Sequence, residues 1–116
     1  MQELKLPHIA PIRFAKKILT KEGNFATVLI EFETIATLPM LVEAAAQSSA
    51  AFRVDDSENG FLASIKGVKL FQKPSSLSLI AKIEDAHRLD AMRYVNFEIF
   101  QEDILIASGT LVIVTT

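Results

Sequence analysis

The stretch 38-LPMLVEAAAQSSAAF-52 reads as a helix, and nearly all of it is small or apolar. From Thr34 to Phe52 the only charged side chain is Glu43, and Gln47, four positions on, shares its helical face. A carboxylate in a helix that otherwise wants burial is costly unless it is partnered or its proton affinity is put to use. Thr37 suits an N-cap, and Pro39 costs little in a first turn whose N–H groups lack intrahelical partners. Ala44, Ala45, Ala46, Ala50 and Ala51 favour helix and allow close approach of other backbone. The helix is expected over about 38–53, ending near Phe52–Val54 before the polar run Asp55–Gly60. A membrane span does not fit. The part after Pro39 reaches about 21 Å at 1.5 Å per residue, short of a ~30 Å hydrocarbon core, and Glu43, Gln47, Ser48 and Ser49 interrupt it.

Upstream, Gly23-Asn24 is a turn signal between Lys16–Lys21 and Phe25–Glu33, predicting a hairpin. Val28, Ile30 and Phe32 fall on one face of its second arm, with Thr27, Glu31 and Glu33 opposite. Before it, Leu6-Pro7-His8 and Pro11 make an irregular start. Downstream, Phe61–Phe71 reads as a strand closed by Lys73-Pro74, and Leu77–Glu84 alternates as another. A polar loop is expected at Asp85–Ala91, followed by strands Met92–Phe100 and Ile104–Val114 around a turn at Gln101–Asp103. Two strands, one apolar helix and four strands give an α+β fold, with a curved antiparallel sheet around the helix. This is the layout of the hotdog fold.

The 116 residues suit one domain with one core, spanning 1–116. A net charge of -2 with scattered Lys and Arg gives no case for nucleic acid. Without cysteine there is no disulfide, thiolate metal site or cysteine nucleophile, and His8 and His87 alone make a multi-histidine zinc site unexpected. No glycine-rich phosphate loop, Ser-His-Asp order or metal motif is present, so no cofactor is expected. The opening MQELKLPHIAP lacks a signal-peptide pattern, which makes the cytosol the default.

Three short motifs resemble those of the bacterial 3-hydroxyacyl-acyl-carrier-protein dehydratases: Leu6-Pro7-His8 with Pro11, the helical Leu41-Val42-Glu43-Ala44-Ala45-Ala46-Gln47, and the strand end Val68–Pro74. In that family a histidine before the helix removes the α-proton. The helix glutamate, contributed by the other protomer, assists loss of the 3-hydroxyl. Glu43 falls on the family glutamate. The connection Glu33–Pro39 carries no histidine and is shorter, and in its shortness it resembles that of the compact dehydratase-like hotdog proteins of aryl-polyene-type lipid pathways, the nearer resemblance. The resemblance implies an acyl thioester on acyl-carrier protein or coenzyme A as substrate. It also implies a homodimer with Phe61–Phe71 paired to its twin across a two-fold axis, without setting a limit on larger assemblies.

On this reading Glu43 is the catalytic carboxylate and His8 the substitute base. Gln47, the Met40 and Leu41 amides at the helix N-terminus, and Phe71 of the strand-end motif are the substrate contacts. For each there is a plain structural alternative: Glu43 bonded to Gln47 or sheet backbone, His8 anchoring its own segment, Gln47 a packing residue. His87 reads as a solvated loop residue. Lys66, Lys69 and Lys73 with Arg53 form either a basic rim for an acidic carrier or a solvated strand face. Dehydration, glutamate-driven thioester hydrolysis and a non-catalytic acyl-binding subunit all stay open.

Overall fold

Gly23-Asn24 turns the chain as expected, Gly23 taking a left-handed φ of 60° that costs a residue without Cβ little. The computed structural model describes residues 2–3, 13–52 and 60–115. Its strands are β1 Gln2–Glu3, β2 Ala15–Glu22, β3 Phe25–Glu31, β4 Gly60–Leu70, β5 Ser78–Leu89, β6 Met92–Gln101 and β7 Ile104–Thr115, with helix α1 at Leu38–Ser48 between β3 and β4. All pairings are antiparallel, in the order β1-β2-β3-β5-β6-β7-β4. The fold is a hotdog: one long antiparallel sheet curves around one central helix.

Alternation decides which face of each strand meets the helix. Ala26, Val28 and Ile30 on β3, Leu79, Ala81 and Ile83 on β5, and Val95, Phe97 and Ile99 on β6 are buried, and they meet Leu41, Ala44 and Ala45 of α1. Ala44 and Ala45 are fully buried, so the sheet comes close to the helix backbone as their small size permits. The outer face is polar and cross-linked. Asn96 donates to Glu84 at 2.9 Å and accepts from Thr110 Oγ1 at 2.7 Å, joining β5, β6 and β7.

Three boundaries differ from the sequence reading. The α-helix closes at Ser48 and continues as a 3-10 turn over Ser49–Phe52; Ser48 and Ser49 turn their hydroxyls back onto the Ala44 and Ala46 carbonyls, at 2.7 and 2.6 Å, alongside the backbone bonds of the last turn. Asp85–Ala91 is mostly strand rather than loop. β5 continues to Leu89, and the reversal is confined to Asp90-Ala91, with Asp90 at φ 54°. The N-terminal residues Gln2–Glu3 add a short strand beside β2.

Among the glycines Gly23, Gly67 and Gly109, only Gly109 on β7 has no room for a Cβ. A Cβ there would lie 2.7 Å from Val68 Cγ2 and 2.9 Å from Phe97 Cε2. Both neighbours are packed side chains, and Phe97 is almost wholly buried. Gly109→Ala is therefore expected to destabilise the fold by about 1–3 kcal/mol through overpacking. Urea unfolding checks this as a lowered midpoint at unchanged slope.

Candidate functional site

The N-terminal half of α1 is aimed by its own first turn. Thr37 keeps extended backbone at φ -86° and ψ 167°, and Pro39 fits where no N–H is needed. The helix then presents Leu38 and Val42, four apart, beside Pro39 and Glu43, also four apart, towards β4. Between these two elements lies a cleft of about 480 Å3, lined by Leu38, Pro39, Val42, Glu43 and by Leu62, Ala63, Ser64, Ile65 and Val68. Four consecutive β4 residues contribute, which a cleft on one face of a pleated strand would not allow. The cleft therefore reaches the edge of the described sheet, where β4 has, among the described strands, a neighbour only in β7.

Among the described residues, Glu43 is the only charged one in this lining. It is half-buried, and its Oε1 accepts a 3.3 Å hydrogen bond from Gln47 Nε2. Gln47 is 3% exposed, and its Oε1 accepts from the Phe14 and Ala15 N–H groups at 2.7 and 3.1 Å. The structure thus brings Glu43 and Gln47 together as the spacing implied. Gln47 does so from beneath, its oxygen engaged by the chain leading into β2, and it is not among the cleft-lining residues.

The other expected contacts fall elsewhere. The Leu41 N–H donates to the Thr37 carbonyl at 3.0 Å and its side chain is fully buried, which corrects the expectation of a free amide there. Met40 turns its Sδ towards the Thr37 N–H at 3.5 Å and does not line the cleft. Phe71 lies past the end of β4, 54% exposed, its N–H bonded to the Ile106 carbonyl at 2.8 Å; it too is outside the lining. His8 lies outside the described residues, as does Arg53 of the basic rim. Lys66, Lys69 and Lys73 are exposed, and Lys66 holds its ammonium 5.6 Å from the Tyr94 ring centroid. His87 is exposed as expected but sits on β5, its ring 5.5 Å from that of Tyr94. No described histidine lines the cleft.

Two features went unread in the sequence. Leu62, Ile65 and Val68 form the strand side of the cleft, and the apolar spacing of Phe61–Phe71 was the signal available for them. Arg93 is the second. It is 2% exposed at an inward position of β6. Its Nε lies 3.5 Å from Asp85 Oδ1 and its Nη2 donates to the Ser49 carbonyl at 3.5 Å. Ser49 is the C-cap of α1, whose last turn carries no basic residue. The sheet thus supplies the cation that a helix C-terminus favours. Among the described residues no group of three or more His, Cys, Asp or Glu could hold a metal ion, and no helix is long and apolar enough to cross a membrane.

No protein-family model and no curated protein matches the sequence. Solved structures do match. The dehydratase heterocomplex ApeI:P from Xenorhabdus doucetiae superposes with TM-score 0.77 at 13% identity, over 96% of this chain and 88% of that one. The HP0420 homologue from Helicobacter felis gives 0.74 at 15%, over 97% and 85%. A hypothetical thioesterase from Streptococcus pneumoniae TIGR4, solved with coenzyme A, gives 0.69 at 15%, over 86% and 84%. At these identities the likeness is one of fold, and the chain shares the hotdog fold of all three.

Proposed function

We propose that this protein is an acyl-thioester enzyme that dehydrates a 3-hydroxyacyl thioester carried by acyl-carrier protein or coenzyme A. The observation that carries the proposal is a half-buried carboxylate, Glu43, the single charge among the described residues of a cleft they otherwise line almost wholly with apolar side chains. Such a cleft accepts an alkyl chain and places one proton donor beside it. In the reaction Glu43 gives its proton to the 3-hydroxyl as the C3–O bond breaks, a base takes the C2 proton, and water leaves as the C2–C3 double bond forms. His8 is the residue assigned as base. The motif resemblance, together with a dehydratase and a coenzyme A-bound thioesterase among proteins of this fold, supports acyl thioesters as the substrate class.

A second copy of the chain belongs in this reading. Leu62 and Ile65 are 36% and 49% exposed on the edge strand of the lone protomer, and natural sheets cover such edges. Pairing β4 with its twin covers the edge and closes the cleft from the open side. Hydrolysis is the second reading, with Glu43 activating water. The histidine-free connection Glu33–Pro39 favours it, because glutamate-only chemistry needs no imidazole.

The deciding assay mixes the protein with a 2-enoyl thioester, since dehydration is reversible, and follows loss of the enoyl absorbance for wild type and His8→Ala. Hydration by wild type, weakened in His8→Ala, is expected. Thiol release from a saturated acyl thioester without hydration would replace dehydration by hydrolysis. Inertness in both assays with retained acyl-carrier binding would leave only a binding subunit.

A further inference from the structure

We infer that Val68 sets the length of acyl chain the cleft accepts. This inference rests on the cleft being the acyl site of the proposed function. On the strand side the lining runs from Leu62 to Val68. Leu62, Ala63, Ser64 and Ile65 are exposed, whereas Val68 is half-buried and packs against the core. Val68 is therefore the deep end of this wall, where an alkyl chain running along β4 from its exposed part stops.

Two glycines seat this one side chain. Lys66 lies opposite Thr110 and Lys69 opposite Ser108, so three steps on β4 match two on β7. The extra residue makes a bulge at Gly67-Val68, with Gly67 at a φ of 58° that suits a residue without Cβ. Thr110 faces the outer, polar side with Asn96, and Ser108, two residues away, shares that side. Directly opposed residues point the same way, so the bulge keeps both lysines outside. An unbroken strand would carry Lys69 round to the face that meets the helix. Gly67 and Val68 together oppose Gly109. A Cβ there would come within 2.7 Å of Val68 Cγ2 on one side and 2.9 Å of Phe97 Cε2 on the other. Val68 thus drops into a niche that exists because residue 109 has no side chain, and the niche ends on an almost wholly buried ring. A shorter side chain at position 68 extends the cleft into the niche. A longer one takes space from the cleft, since the niche has none left.

The test compares wild type with Val68→Ala and Val68→Ile. It measures kcat/KM for hydration of straight-chain 2-enoyl-coenzyme A thioesters of increasing length. It also measures the affinity of saturated acyl amides of pantetheine of the same lengths, which do not react. Val68→Ala is expected to move the optimum to longer chains, raising the preference for a chain just past the wild-type optimum by about 10-fold, the lower end of what one methylene decides in an apolar pocket. Val68→Ile moves the optimum to shorter chains. A merely structural role would lower every length alike in both variants, and either variant alone decides the direction if the other does not fold. A length preference that stays fixed, or moves the same way in both, overturns the inference. If wild type hydrates no enoyl thioester, the acyl amides carry the test. Opposite shifts in their affinities then keep Val68 as assigned and overturn dehydration, and no affinity at any length overturns both.

Discussion

Glu43→Gln is expected to lower kcat for enoyl-thioester hydration by about 100- to 10,000-fold, the usual contribution of one general acid or base. The substitution keeps the shape of the side chain and a carbonyl oxygen for the Gln47 donor at Oε1, so the bond beneath the site persists. What disappears is the transferable proton. Because Glu43 is half-buried, the added NH2 group keeps contact with water, and the change in stability should stay within about 1 kcal/mol. The loss should therefore appear in kcat with little change in KM, since no substrate-binding surface has been removed. Activity equal to wild type would dismiss Glu43 from the chemistry, and a large fall in melting temperature would mean that the carboxylate is structural.

The largest effect on stability is expected at Arg93. Its guanidinium is enclosed between β6, Asp85 and the C-cap of α1. Arg93→Ala leaves the Asp85 carboxylate and the Ser49 carbonyl without that partner and opens a void where a long side chain stood. Breaking a buried pair from one side typically costs about 3–5 kcal/mol. Asp85 keeps 23% of its side chain exposed, so water relieves it and the loss should fall near the lower figure. For a domain of this size that corresponds to a melting temperature lower by roughly 10 °C. Arg93→Lys should recover only part of it, because an ammonium is a compact charge without the planar fork that reaches two acceptors at once. A melting temperature within about 2 °C of wild type for Arg93→Ala would show that the pair adds nothing net.

These two residues show what a single sequence exposes and what it conceals. Glu43 was legible because it is alone: one charge in an apolar helix has few ordinary explanations. Gln47 was legible as its neighbour through the four-residue spacing, but its hold on Phe14 and Ala15 depends on a meeting of distant segments that no local pattern encodes. Arg93 was concealed by its own charge. Its position in the series Arg93, Val95, Phe97, Ile99 is inward, yet a guanidinium reads as a solvent-facing residue unless its partners are known. The β2–β3 hairpin was legible from turn chemistry, whereas Asp85–Ala91 misled because β5 there runs on past the end of β3 and, among the described strands, pairs with β6 alone. Residues 86–89 there are all exposed, so little apolar burial is needed and the sequence looks like loop. The helix end was misread because alanine and serine suit an α-turn and a 3-10 turn about equally.

The strand order has a consequence for how the molecule is made. β4 is the wall of the cleft, and among the described strands of the protomer it pairs with β7 alone, Gly60 opposite Thr115 and Leu70 opposite Ala107. During synthesis α1 and β4 therefore emerge long before the strand that holds β4 in the sheet. The hairpin of β2 and β3 can close early by local contacts, but the cleft waits for the last strand to leave the ribosome, and such non-local closure is slow. A chain cut short after Gln101 would retain every residue that lines the cleft and still have no cleft. Its apolar β4, released from its neighbour, would be the segment most prone to associate with other chains.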